Sequence, residues 1–253
     1  MMRYLPQGWS KRYDASFNRR AEAAKHKLVM EAFYRQYIRP GDIVFDIGAN
    51  IGVRTAIFSD LGGRVICVEP QPKCIKRLRK QFGKNAHIII VEAAAGEREG
   101  VGELSICESE PTISTMSQQW KTEGRFAGNN QWTSTVPVEV TTLDLLITRY
   151  GTPAFCKIDV EGFELSVLKG LSRAVPNISF EFSREFFTET KACIDHLLSI
   201  GPTVFNASFG ESMTLLRSEW MTPDALYGII DSEDDPLLWG DVYARSGRSG
   251  LRG

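Results

Sequence analysis

Val44-Phe45-Asp46-Ile47-Gly48-Ala49-Asn50-Ile51-Gly52 is the stretch on which the fold turns. Its apolar run is continuous rather than alternating, as in a strand covered on both faces. The run ends on an acid, passes through a glycine turn and leads into the helical pattern of Val53–Leu61. Glycines at such a turn let the backbone approach a ligand without a Cβ clash. The helix that follows aims its N-terminus at the same place. A dinucleotide loop would read G-x-G-x-x-G, but only Gly48 and Gly52 are present and Asn50 stands at the middle position. Asp46 would also repel a pyrophosphate. A cationic or amino-bearing ligand suits this turn better.

Moving outward, Arg64–Val68 reads as a second strand, Pro72–Phe82 as a helix rich in Lys and Arg, and His87–Val91 as a third strand. This β-α-β-α-β order predicts parallel strands with helices on both faces. Glu69 ends the second strand 23 residues after Asp46, the position that grips ribose hydroxyls. The two acids together point to an adenosine-type cofactor. Further strands are predicted at Gly102–Cys107, Val136–Thr141, Ala154–Val160, Asn177–Phe182, Thr203–Ala207 and Asp241–Ala244. Helices are predicted at Leu143–Tyr150, Phe163–Leu171 and Thr188–Ile200.

Lys157, Asp159, Glu161 and Glu164 gather at the end of the Ala154–Val160 strand. Strand alternation would put Lys157, Asp159 and Glu161 on one face. The C-terminal ends of strands are where open α/β sheets bind ligands. Glu181 adds an acid at the next strand tip. Crowded acids raise one another's pKa values, which suits a base working near neutral pH. Lys157 and Asp159 can instead simply neutralise each other. The acids can also hold a divalent cation, although no ligand spacing dictates one and none is expected.

These residues carry a family resemblance. D-I-G-A-N-I-G at 46–52, V-E-P-Q-P at 68–72, A-A-A-G at 93–96, T-L-D at 142–144, K-I-D-V-E-G-F-E at 157–164 and V-L-K-G at 167–170 resemble the FkbM family of class I S-adenosylmethionine-dependent methyltransferases. The resemblance runs in order from about residue 36 to 183, and the block at 157–170 is its most specific part. It implies a Rossmann-like α/β fold: a central, mostly parallel seven-stranded sheet with helices on both faces. It further implies transfer of a methyl group from S-adenosylmethionine to a hydroxyl of a sugar or natural-product-like acceptor. Carried over by motif, Asp46, Gly48, Ala49, Asn50 and Gly52 would line the methionine end, and Glu69 with Pro70 the ribose. Glu92, Ala93 and Ala94 would flank the adenine. Asp159 would meet both cofactor and acceptor, with Glu161, Glu181 and Lys157 completing the catalytic set. One position departs from the pattern: Arg54 stands before Thr55, where the family often has Ser or Thr soon after the second glycine.

The remaining sequence sets limits. The chain has 253 residues, 30 basic and 31 acidic, for a net charge of −1. That balance excludes a general polyanion binder. Nine basic and three acidic residues fall in the first 40, so the neutrality is a sum of unlike parts. A helix predicted from about Phe17 to Ile38, with Leu28, Ala32, Tyr34 and Ile38 inward, makes residues 1–40 a helical cap of the same domain. Residues 41–245 form the catalytic domain, with a lid-like insertion at 108–135 containing Thr112–Ser117, Trp120, Phe126 and Trp132. Residues 246–253 read as a flexible tail, and the acidic run 231–235 as a solvated loop. The five cysteines are odd in number and lack C-x-x-C spacing, so buried free thiols are expected. His26, His87 and His196 read as structural. Met1–Ser10 has no apolar core of a secretory signal and no run approaches a membrane span, which points to a cytoplasmic protein. The acceptor is a small molecule or glycan in this reading; the oligomeric state is unread. The rival functions are a nucleic-acid methyltransferase, supported by the basic N-terminus alone, and a non-catalytic cofactor-binding partner subunit. A nicotinamide oxidoreductase lacks its pyrophosphate loop.

Overall fold

The computed structural model describes residues 22–107, 114–125 and 132–247. After helix α1 (residues 22–34) come β1 (Ile43–Ile47), α2 (Val53–Asp60), β2 (Arg64–Val68), α3 (Pro72–Phe82), β3 (Ile88–Val91), β4 (Ala94–Ala95) and β5 (Gly100–Cys107). Then follow α4 (Gln118–Glu123), β6 (Trp132–Thr141), α5 (Leu143–Tyr150), β7 (Phe155–Ile158), α6 (Glu164–Lys169) and β8 (Asn177–Ser183). A 3-10 turn (Arg184–Phe186), α7 (Phe187–Ile200), β9 (Thr203–Phe209), α8 (Pro223–Ser232) and β10 (Trp239–Ser246) complete the chain.

Seven strands form one sheet in the order β3-β2-β1-β7-β8-β10-β9. All neighbours are parallel except β10, which runs antiparallel to both β8 and β9. The mostly parallel seven-stranded α/β sheet expected from the sequence is therefore present. Predicted strands Gly102–Cys107 and Val136–Thr141 are also strands, but they leave the main sheet. With β4 they build a second, three-stranded sheet, β4-β6-β5.

Alternation along the central strands divides the core in two. Val44, Val65 and Cys67 face a cluster with Phe58, Leu78 and Phe82 of α2 and α3. Phe45, Ile47, Ile66 and Val68 face the opposite cluster, with Val167, Cys193, Ile194 and Leu226 of α6, α7 and α8. That is the physical meaning of the unbroken apolar runs: each strand serves two layers. All five cysteines are buried and free.

The inward face of α1 differs from its prediction. Leu28 is 65% exposed and Ala32 is exposed, whereas Met30, Phe33, Tyr34, Tyr37 and Ile38 are buried. Aromatic area decides the rotation. Phe33 meets Tyr243 at 5.3 Å, Tyr34 meets Phe58 at 5.0 Å, and Tyr37 stacks on Phe155 at 5.0 Å. The acidic run is only partly a loop, because Asp231 and Ser232 close α8. Residues 1–21, 108–113, 126–131 and 248–253 lie outside the described residues, and with them Phe17, Thr112, Ile113, Phe126 and most of the expected tail. No helix among the described residues is long and apolar enough to cross a membrane.

Candidate active site

The C-terminal tips of β1, β2, β7 and β8 open into a cleft of about 500 Å³. Its floor is built from close backbone approach. Gly48 has φ +80°, and a Cβ placed on it would stand 1.8 Å from the carbonyl oxygen of Asp159. Gly52, at φ +84°, would drive a Cβ into the Phe82 ring at 2.5 Å. The two glycines thus have different tasks. Gly48 brings the tips of β1 and β7 together, and Gly52 lets α2 begin against α3. Asn50 between them also takes a left-handed φ of 49°.

Glu69 is tied to this turn. Its two carboxylate oxygens accept backbone N–H groups from Asn50 at 2.8 Å and Gln71 at 2.7 Å. Burial lifts its pKa to about 7, against the pull of those two bonds. A carboxylate oxygen has two lone pairs, so each oxygen retains one for a ligand hydroxyl. Beyond Glu69, the cleft is lined by Pro70, Ala93, Ala94, Ala95, Leu104 and Met116, an apolar slot with three consecutive alanines in its lining. It suits a flat heterocycle.

At the other end, Asp159, Glu161 and Glu181 bring one carboxylate oxygen each within 4.8 Å of one another. β7 stops at Ile158, and Glu161 takes a left-handed φ of 55°. The turn therefore replaces the predicted alternation and aims Asp159, Val160 and Glu161 alike into the cleft. Glu164 holds the turn by accepting the N–H groups of Val160 at 3.1 Å and Gly162 at 3.3 Å. Desolvation and mutual repulsion raise the pKa of Glu161 and Glu181 well above the usual carboxylate range. Such a trio can share and pass a proton, and its oxygens are also of the type that ligates a divalent cation.

Lys157 does not reach the cleft. It is 1% exposed, and its Nζ contacts Asp241 Oδ1 at 2.8 Å and Asp159 Oδ2 at 3.3 Å. Burial works against its charge, but these two acids outweigh that and hold it protonated. Lys157 thus props Asp159 from behind. Four further residues predicted for the cofactor lie away from the cleft surface. Asp46 is buried and accepts the Thr55 hydroxyl at 2.5 Å; desolvation raises its pKa to about 6. Ala49 is buried and Gly52 packs on Phe82. Glu92 turns outward to Arg79. Gly48, Asn50, Glu69, Pro70, Ala93, Ala94, Asp159, Glu161 and Glu181 all line the cleft.

The described part of the 108–135 insertion closes one wall. The Thr115 hydroxyl donates to the Glu161 carbonyl at 2.6 Å, and Ser117 caps α4 by accepting the Trp120 N–H at 3.1 Å. Trp120 lies on Gly162, where a Cβ would stand 2.9 Å from its ring. A smaller cavity of about 240 Å³ shares Trp120, Phe163, Glu181 and Ser183 with the main cleft. Sequence reasoning missed Gln71, Arg125, Ser183, Glu211 and Trp239, which also line the cleft. Arg125 is held by Glu185 through its Nε at 2.9 Å. His196 bonds the Leu171 carbonyl at 3.0 Å, a structural use.

The methyltransferase FkbM domain model matches residues 46–218. Over 141 residues the chain is 28% identical to the hexuronic acid methyltransferase AglP of Haloferax volcanii. The match covers 55% of this chain and 54% of that protein, so the chain spans about half the length of the curated relative it matches. Among solved structures it is similar to a precorrin-6y C5,15-methyltransferase from Geobacter metallireducens, with 13% identity, 85% and 84% coverage and a TM-score of 0.45. It is also similar to a TehB-like SAM-dependent methyltransferase from Corynebacterium glutamicum, with 11% identity, 95% and 100% coverage and a TM-score of 0.44. At these TM-scores the likenesses add nothing to what the strand order already shows.

Proposed function

The chain belongs to the FkbM family of S-adenosylmethionine-dependent methyltransferases, and we propose that it methylates a hydroxyl oxygen of a sugar or sugar-like acceptor. The observation that carries this reading is the convergence of Asp159, Glu161 and Glu181 at the end of the cleft beside the glycine turn. A hydroxyl is a poor nucleophile until its proton has somewhere to go. Glu161 and Glu181, crowded against Asp159 and raised in proton affinity, offer that place near neutral pH. The name of the Haloferax relative, a hexuronic acid methyltransferase, supports a sugar acceptor.

The residues fit the cofactor. Gly48 seats the turn against the Asp159 backbone at the cleft floor, Glu69 keeps lone pairs for ribose hydroxyls, and the Ala93–Ala95 slot suits adenine. When bound, the cofactor supplies an electrophilic methyl group on a sulfonium. Asp159 orients the acceptor hydroxyl, and Glu161 or Glu181 takes its proton. Lys157 keeps Asp159 in place. Thr115 and Trp120 close the wall and exclude water from the transfer. Holding acceptor and methyl group in line can lower the barrier by about 7–11 kcal/mol.

The test is transfer of a labelled methyl group to a panel of uronic acids, neutral sugars and amino sugars, with the product carbon located by heteronuclear NMR. A methyl group on oxygen supports the reading. Transfer to nitrogen or carbon, or none to any sugar, removes it.

A further inference from the structure

Glu211 lies in the loop after β9, 50 residues beyond Glu161 and outside every segment that carries the cofactor reading. Its side chain is 47% exposed and lines the cleft. The carboxylate is nevertheless fixed. Its Oε2 accepts Arg54 Nη2 at 2.7 Å. Arg54 belongs to the first turn of α2, two residues after Gly52, so its reach ties Glu211 to the glycine-turn end of the cleft. The guanidinium is itself held from behind, beside the Met30 sulfur and 5.9 Å from the centre of the Tyr34 ring. Arg54, the position that departs from the family pattern, thus meets an acid brought from the loop after the edge strand β9.

The charges in the cleft then have separate destinations. Glu69 meets the ribose, and Asp159, Glu161 and Glu181 meet the acceptor hydroxyl. The methionine end of the cofactor also carries an α-ammonium, which requires an acceptor of its own. We propose that Glu211 receives this α-ammonium, with Arg54 as the positioning residue that holds the carboxylate at the glycine turn. The proposal rests on the cofactor reading above. It assigns a contact on a loop that sequence motifs do not reach, and it makes the β9 loop part of the cofactor site.

The experiment compares two ligands by calorimetry. S-adenosylhomocysteine carries the amino-acid end; 5′-methylthioadenosine has the same nucleoside without it. Wild-type protein that binds neither would overturn the cofactor reading and this proposal together. With binding established, Glu211→Gln should weaken S-adenosylhomocysteine by about ten- to a hundredfold, the range of one charge-assisted hydrogen bond, and leave 5′-methylthioadenosine unchanged. An equal loss for both ligands would make Glu211 a support of the loop only, and no loss for either would remove it from the site; both results overturn the proposal alone. Arg54→Gln should reproduce the selective loss and Arg54→Lys should restore part of it. Equal weakening of both ligands by Arg54→Gln would mean that Arg54 serves the fold rather than Glu211.

Discussion

The α-carbon of Gly48 faces the carbonyl oxygen of Asp159 so closely that a Cβ would stand 1.8 Å from it. The first strand and the acid turn after β7 are thereby locked at one separation. Gly48→Ala must therefore move one of them. We expect a loss of about 2–4 kcal/mol, from a left-handed φ and overpacking together, with cofactor affinity down at least tenfold. Gly41 supplies the control, since its φ is +90° and nothing lies within 4 Å of a Cβ there. Gly41→Ala should cost about 1 kcal/mol and leave binding intact. Chemical denaturation and calorimetry on both variants decide this; equal behaviour would mean that the contact at Gly48 is not what matters.

Glu69→Ala removes the acceptor for two backbone N–H groups as well as the proposed grip on ribose. Each abandoned N–H costs about 1–3 kcal/mol if water does not replace the carboxylate. The expected result is cofactor binding weakened at least a hundredfold. Wild-type affinity in this variant would sink the ribose assignment.

The parts of the fold visible in the sequence are those where one physical demand dominates. β2 must be apolar on both faces and leaves the unbroken run Val65–Val68, while β1 and β7 are interrupted only by Asp46 and Lys157. Helix α8 was missed although Thr222-Pro223-Asp224 supplies an N-cap, a proline at the first helical position and an acid in the first turn. β4 has two residues and carries no periodicity at all. In the site, Glu69, Asp159 and Glu161 were legible because strand tips are where ligands sit. Asp46 and Lys157 share those tips yet face inward, toward Thr55 and Asp241, and letters alone do not separate the two outcomes. Glu211 and Trp239 enter the cleft only through the β9 loop and the antiparallel insertion of β10, which is long-range information.

Asp159→Asn should retain the fold and the cofactor, because Lys157 still has Asp241 at 2.8 Å. Turnover should fall by about 10²-fold, the cost of misplacing a reacting group by about 1 Å. Glu161→Gln should lower turnover and move the pH profile of kcat/KM, since it relieves part of the repulsion that raises Glu181. Steady-state rates from pH 5.5 to 9 would check both. Undiminished turnover in Asp159→Asn removes it from the mechanism.

The three acids need no metal in this scheme, because Lys157 compensates Asp159 and raised proton affinity compensates the other two. Activity should therefore survive exhaustive treatment with a chelator. Loss of activity that magnesium or manganese restores would instead make Asp159, Glu161 and Glu181 oxygen ligands, and the base would have to be sought elsewhere.

Three further raised carboxyls set how stability responds to pH. Burial lifts Glu69 and Glu164 from 4.5 to about 7 and Asp46 from 3.8 to about 6. Each holds its proton more tightly folded than unfolded, so the folded state binds more protons between the two values. Stability from these groups is complete below the unfolded pKa and is lost as pH rises through the folded one. Inside that window each group contributes a slope of up to about 1.4 kcal/mol per pH unit. The melting temperature of the free protein should thus fall from pH 5 to pH 8. S-adenosylhomocysteine should oppose the fall, because ribose hydroxyls donate to the ionised Glu69 and favour its charge. The stabilisation it confers should therefore grow with pH across 6–8, and Glu69→Gln should flatten that growth. Thermal unfolding at four or five pH values, with and without the ligand, reads both slopes. A melting temperature that rises toward pH 8 in the free protein would show that these carboxyls are ionised at no cost.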